Sequence, residues 1–259
     1  MIYDLQKASM WKRISALLLD VILLSILAVG FAALFSSLFH FDTYNSQLTA
    51  AYERYEEEFG YDFDITQDEY DAMSEEERSG YDAAVTAANE ALAADEEAVY
   101  AYGMLLNLTL LILTLSILLS YAVLEFALPL IFGNGQTVGK KIFGIGLMRT
   151  DGVKITTFML FVRTFLGKFT IETMIPVLIL VMLYFGVSGI GFIGLVIIGL
   201  ILLLQVVFLI TTHTNSAIHD MLACTVAVDL SSQMIFGSPE ELIAYKQRVQ
   251  AEKAAKQDY

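Results

Sequence analysis

The chain has 259 residues, of which 56% are hydrophobic, with a mean hydropathy of +0.62 and a formal net charge of −14. Because the apolar residues are concentrated in long runs, an ordinary soluble protein is excluded and an integral membrane protein is predicted. The single cysteine, Cys224, excludes an intrachain disulfide and a thiolate metal site, and we interpret it as a packing residue.

Four apolar runs are candidates for membrane spans, which need roughly 20 residues each. The third run is short, and Gly186, Gly189 and Gly191 predict that the third and fourth runs form a hairpin with a tight apolar turn. The first run is too long for a cleaved signal peptide, so we interpret it as an uncleaved signal-anchor helix. The four runs are residues 14–39, 103–132, 171–186 and 187–211.

Asp20 lies inside the first run, where an ionised carboxylate costs roughly 2.5–3.5 kcal/mol on insertion scales. Arg13 is seven residues away, which places it on nearly the same helix face but about 10 Å along the axis. A direct ion pair between them therefore needs the arginine to reach inward. Otherwise Asp20 finds a partner on another helix or is reached by water.

The negative charge is concentrated in residues 41–101, which contain 18 acidic and 2 basic residues. Most other basic residues lie near the ends of the apolar runs, so the positive-inside rule predicts four spans with both termini cytoplasmic. The acidic segment is then extracytoplasmic. Its sequence predicts a helix near 45–59, capping boxes at 66–69 and 74–77, and a helix from 82 to 101 that continues into the second span. We interpret it as a solvated helical hairpin, with cation capture or partner binding as the alternative.

The segment after the second span contains a glycine-rich stretch with a threonine and two lysines. It is not a phosphate-binding loop, because Lys141 stands where that motif needs serine or threonine. Residues 145–149 and 153–156 flank a turn signal, and residues 225–228 are also β-prone, so a small cytoplasmic sheet of three pieces is predicted. Residues 158–170 predict an interfacial helix before the third span. Residues 238–241 predict the start of a C-terminal helix.

The acidic residues in or near the spans form the candidate site. Asp20, Glu125 and Asp220, with Glu172 as a further candidate, could line a cytoplasm-facing cavity with Arg13 as the counter-charge. Such a group is expected of a proton-coupled cation site and equally of a structural network of interhelical ion pairs.

Other classes of function find little support in the sequence. His213 and His219 lack the further ligands of a metal site, and no nucleophile–base arrangement is evident. We therefore predict no enzyme activity, no cofactor, no metal and no nucleic-acid partner.

Three sequence blocks together resemble the RDD family of bacterial membrane proteins. They begin at Arg13, Gly135 and His219, and they cover residues 1–40 and 103–230, with the acidic segment as an insertion. The resemblance implies a membrane transport component, and the most concrete activity it implies is exchange of a monovalent cation for a proton. Two departures are Cys224, in place of a glycine, and Asn215–Ser216, in place of a basic pair. The residues that the resemblance marks are Arg13, Asp20 and Asp220, with the motif residues Gly135, Thr137, Gly139, Lys140, His219 and Thr225.

Two functions are therefore expected from the sequence. The first is transport in which Asp20 carries the ion or proton, in the cytoplasmic (cell) membrane and with a homo-oligomer as one arrangement. The second is a non-transporting scaffold or sensor that presents the acidic hairpin to a partner. The fold expected in both cases is an all-α protein with four transmembrane helices, the acidic helical insertion and small cytoplasmic β elements. Its predicted segments are 1–40 (N-terminus and first span), 41–102 (acidic insertion), 103–132 (second span), 133–170 (cytoplasmic loop, hairpin and interfacial helix), 171–211 (helical hairpin) and 212–259 (cytoplasmic His-Asp segment and C-terminal helix).

Overall fold

The computed structural model describes residues 2–186, 189 and 191–257, so residues 187, 188 and 190 of the predicted apolar turn lie outside the described residues. Ten helices and two strands are assigned in the described part of the chain. In chain order they are α1 (Met10–Leu38), α2 (Phe41–Phe59), α3 (Gln67–Ala72), α4 (Glu75–Ala94), α5 (Glu96–Phe132), α6 (Val138–Ile142), β1 (Ile145–Arg149), α7 (Thr157–Tyr184), α8 (Gly191–Thr211), α9 (Ile218–Leu222), β2 (Thr225–Asp229) and α10 (Pro239–Gln257).

Four of the described helices, α1, α5, α7 and α8, are long and apolar enough to cross a membrane. The predicted fold class is therefore confirmed. The third of these helices begins at Thr157, so residues 158–170 are the first part of one continuous 28-residue helix. Helices α7 and α8 pack against each other, and Gly186 and Gly189 between them adopt φ of +65° and +100°, a conformation that glycine adopts without a steric penalty.

Helices α5 and α7 each contain a π-helical segment, in which the backbone bonds run from residue i to i+5. The segments are Ala122–Ala127 in α5 and Val162–Met174 in α7. Five residues of the second segment are buried, and two of them are the basic residues Arg163 and Lys168. Charged side chains inside spans of this kind generally face the interior of the bundle.

The chain divides into two compact units, the first made of Met1–Phe31 and Thr114–Tyr259. Its sheet pairs β1 with β2 in antiparallel register, with Leu147 opposite Ala227. The predicted piece at residues 153–156 is not assigned as a strand, and Lys154 within it forms only an isolated bridge with Met148. Both faces of the sheet are buried: one packs with Ala8 and Ala16, and the other with Leu5 and Ile235. The sheet is thus tied to the N-terminal segment and to the first turns of α1.

The second unit is Ala32–Leu113, which contains the acidic insertion. Both predicted capping boxes are confirmed, and α2 packs against α4. A helix that continues without a break from residue 82 into the second span is wrong, because α4 ends at Ala94. The Asp95 carboxylate accepts hydrogen bonds from the N–H groups of Glu97 and Ala98 at 3.0 and 3.2 Å, so it caps α5 as a separate helix.

Candidate functional site

A cavity of about 370 Å³ lies in the first unit, among the spans and beside α6 and α9. Its apolar wall comes mainly from α1 and α8, including Leu17, Val21, Ile201 and Leu202. The rest of the lining contains the ionisable residues that follow. These are Arg13, Asp20, Glu125, Lys140, Arg163, Lys168, Glu172 and His219.

The Asp20 carboxylate is buried and caps the short helix α6. Its Oδ1 accepts a hydrogen bond from the Gly139 N–H at 2.8 Å, and its Oδ2 accepts one from the Thr137 hydroxyl. The Lys140 Nζ lies 4.0 Å from Oδ2. Asp20 therefore finds its partners on another helix, which is one of the two alternatives predicted from the sequence.

Gly139 makes this arrangement possible, because α6 approaches α1 too closely for a side chain. A Cβ at position 139 would collide with the Ala16 carbonyl oxygen and would lie 2.9 Å from Asp20 Oδ1. Gly139 thus permits the close approach of α6 to α1, and this approach lets the Asp20 carboxylate bind the N-terminal end of α6.

Lys140 lies between two carboxylates. Its Nζ is 4.0 Å from Asp20 Oδ2 and 3.9 Å from Glu125 Oε2, and it donates a hydrogen bond to the Thr137 Oγ1 at 3.2 Å. Burial, together with the positive charge of Lys168, lowers the pKa of Lys140 to about 7. A lysine in this position can therefore lose its proton near neutral pH.

Glu125 is held by Lys168, whose Nζ donates to Oε1 at 2.6 Å. The other carboxylate oxygen, Oε2, is buried and has no hydrogen-bond partner among the described residues. A buried charged oxygen without a donor costs free energy, so this atom favours a cation, a proton or a water beside it.

Asp220 lies behind the cavity lining, only 1% exposed, and is paired with two arginines. Its Oδ1 accepts from the Arg163 Nε at 3.0 Å and from the Thr225 hydroxyl at 3.2 Å, and its Oδ2 lies 3.4 Å from an Arg13 nitrogen. Burial alone would raise the pKa of Asp220, but Arg163, His219 and Arg13 hold it well below the usual value. This group is a fixed anion.

Glu172 faces His219. The His219 Nδ1 lies 2.8 Å from both carboxylate oxygens of Glu172, and its backbone N–H donates to Oε1 at 3.0 Å. Its Nε2 lies 3.7 Å from Asp220 Oδ2. Burial, and then the charge of Arg163, lowers the pKa of His219, although both carboxylates act to raise it.

The comparison with known families decides the classification. The RDD family model matches residues 7–224, which is most of the chain. The chain belongs to the RDD family. A search of the curated proteins and a search of the solved structures give no match.

The site of this RDD protein brings together most of the residues predicted from the sequence. Arg13 and Asp220 form one ion pair, and Asp20, Glu125 and Lys140 form a second group beside it. The motif residues Thr137, Gly139, His219 and Thr225 each contact one of these charges. Gly135 is apart from them: it has φ +61° and packs against Leu147 and Ile155.

Sequence reasoning missed the roles of Arg163 and Lys168, which lie within residues 158–170, the predicted interfacial helix. In an α-helix of 3.6 residues per turn, positions five apart point roughly 140° away from each other. An i to i+5 helix has about 4.4 residues per turn, so the same two positions lie within about 50°. The π segment therefore turns both cations towards the cavity, and only their presence inside an apolar run could have indicated this.

Proposed function

We propose that this RDD protein exchanges a monovalent cation for a proton across the cell membrane, with its N- and C-termini in the cytoplasm. The observation that carries the proposal is the position of Lys140. Its ammonium group lies about midway between Asp20 and Glu125, at the edge of a cavity among the four spans. In the described part of the chain, Glu125 Oε2 accepts no hydrogen bond.

In the proposed exchange, the proton on Lys140 and a monovalent cation compete for the same site between Asp20 and Glu125. When Lys140 is protonated, its charge together with that of Lys168 balances the carboxylates of Asp20 and Glu125. When Nζ releases its proton, the same carboxylates lose that positive charge, and a monovalent cation can take its place among Asp20 Oδ2, Glu125 Oε2 and Thr137 Oγ1. One proton leaves for each cation that binds, so the net charge of the site is unchanged. The pKa of Lys140, about 7, supports such a competition at physiological pH.

The orientation is supported by the distribution of basic residues. Lys7 precedes α1, and Lys12 and Arg13 lie in its first turn; four more basic residues lie between α5 and α7, and four lie in the C-terminal tail. These segments adjoin the same ends of the four helices, and a lysine/arginine excess of this kind is typical of cytoplasmic loops.

The test is cation-driven proton flux in proteoliposomes, with folding checked by size exclusion. We expect flux in the wild type and none in Asp20→Asn, since the substitution removes a charge that holds the cation. In Lys140→Gln, we expect cation binding that no longer depends on pH between about 6 and 8. Lys141→Gln is the matched control, because Lys141 lies over the Phe132 ring and not in the cavity lining. Absence of flux in the wild type, or an unchanged pH profile in Lys140→Gln, contradicts the proposal.

The second candidate is a non-transporting scaffold or sensor. It is favoured by the acidic insertion, which belongs to a compact unit of its own with 16 more negative than positive charges over residues 41–101. In this case the buried ion pairs only hold the spans together. Deletion of residues 45–95 would then abolish function while the rest still folds, and Asp20→Asn would lower the yield and the thermal stability of the protein.

A further inference from the structure

The first compact unit contains the same succession of elements twice. Helix α5 is followed by the five-residue helix α6, by two connecting residues, the second of which is Gly144 with φ +66°, and by the five-residue strand β1. Helix α8 is followed by the five-residue helix α9, by two connecting residues, the second of which is Cys224 with φ +50°, and by the five-residue strand β2. Because β1 and β2 pair in antiparallel register, the two copies face each other across the sheet.

Polar contacts repeat with the elements. The second residue of each short helix donates its backbone N–H to a carboxylate on a span. The Gly139 N–H donates to Asp20 on the first span at 2.8 Å, and the His219 N–H donates to Glu172 on the third span at 3.0 Å. The first half therefore consists of α1, α5, α6 and β1, and the second half consists of α7, α8, α9 and β2. Each of α1 and α7 is the first span of its half and is followed by a second span, α5 or α8, which is the order expected for a repeat of one plan.

A third correspondence lies in the second span of each half. Glu125 precedes the first residue of α6 by 13 positions, and Gln205 precedes the first residue of α9 by 13 positions. Both side chains line the cavity, and Gln205 Oε1 accepts a hydrogen bond from the Ile218 N–H at 3.0 Å. The halves thus share their backbone plan and differ in the chemistry of equivalent side chains.

Each half also holds one titratable base between two carboxylates. In the first half Lys140 lies between Asp20 and Glu125. In the second half the His219 Nδ1 faces Glu172 and its Nε2 faces Asp220, so the imidazole also lies between two carboxylates, although it is one position earlier in its short helix than Lys140.

We propose that Glu172 and His219 form a second proton-binding site, the counterpart of the Lys140 site, which opens into the same cavity. The existence of this site is independent of transport, and only its part in exchange rests on the proposed function.

The proton can be placed at a stated atom. With His219 neutral, the close contact with Glu172 assigns the hydrogen to Nδ1 and leaves the Nε2 lone pair towards Asp220. A proton taken from the cavity binds Nε2, and the imidazolium then bridges the two carboxylates. The charged groups that face it are Glu172 and Arg163 on α7 and Asp220 on its own helix. Arg13 of α1 acts through its ion pair with Asp220.

The test is a titration by nuclear magnetic resonance of protein labelled with ¹⁵N-histidine in lipid nanodiscs. The chain has three histidines, so His219→Gln assigns the relevant signal. We expect His219 to titrate below the usual value of about 6.5. Glu172→Gln lowers the midpoint by a further unit or more, because it removes the nearest opposite charge. Glu172→Asp, which keeps the charge, lies closer to the wild type, and Glu53→Gln, on an exposed helix position, changes nothing.

An unchanged midpoint in folded Glu172→Gln overturns the site, as does an imidazole that stays neutral down to about pH 4. If Glu172→Gln does not fold, Glu172→Asp provides the test. Its shorter side chain moves the carboxylate away from His219 Nδ1, so the titration midpoint of His219 must still fall below that of the wild type. Flux measurements separate the two proposals. In an active wild type, His219→Gln moves the acid limb of the pH profile and leaves the cation concentration for half-maximal flux unchanged. An inactive wild type with the expected titration contradicts exchange and supports the proton site.

Discussion

The ion pair between Glu125 and Lys168 gives the sharpest prediction about what holds the spans together. Its two atoms are 2.6 Å apart and both side chains are less than 10% exposed. At an effective dielectric constant near 20 their attraction is about 6 kcal/mol, and Lys140 at 3.9 Å adds about 4 kcal/mol. Much of this offsets the desolvation of the charges. Removal of Glu125 leaves Lys168 buried without its partner, and removal of Lys168 leaves Glu125 with only the more distant Lys140; breaking a buried pair in this way costs roughly 3–5 kcal/mol.

We therefore expect Glu125→Gln and Lys168→Met each to lower the melting temperature of the purified protein in detergent by about 10 °C. The double variant loses both charges together, so it should be no less stable than the worse single variant, with a coupling energy of about 3 kcal/mol. Glu53→Gln serves as the control at an exposed position. Additive losses in the double variant would refute the conclusion that the pair acts as a unit.

Two further predictions concern the packing and the pH dependence of the same unit. Gly139→Ala places a methyl group against the Ala16 carbonyl and should destabilise the protein by about 1–3 kcal/mol. The control is Gly103→Ala, whose added methyl group has no neighbour within 4 Å and should not destabilise the protein. Thermal unfolding of both variants measures the difference. Hydrogen bonds from Lys12 and Ser231 lower the pKa of Asp229 to about 2, so its contribution to stability is complete above about pH 4 and is lost as the pH falls towards 2. Asp229→Asn should accordingly reduce stability at pH 7 and have little effect near pH 2 in unfolding measurements; an equal effect at both pH values would contradict the assignment.

Local sequence was sufficient for the ends of several helices. The capping boxes at Thr66 and Ser74 and the start of α10 after Ser238 follow from side chains that bond backbone groups three residues away. The break at Asp95 does not follow from the alanine-rich pattern, which favours a continuous helix; it is the Asp95 carboxylate, as the cap of α5, that separates the two helices.

The sequence by itself determined the membrane class, the four spans, the acidic insertion and the RDD family, since hydropathy, charge and short motifs are properties of contiguous residues. Only the tertiary structure decided which charges meet. Asp20 contacts residues more than 100 positions away, and Glu172 contacts a histidine 47 positions away. Arg163 and Lys168 turn inward because the helix locally adopts π geometry, which α-helical periodicity does not predict. Long-range pairing and helix phase depend on how the elements pack, and for that reason the ion pairs and the repeated half-site emerged only in three dimensions.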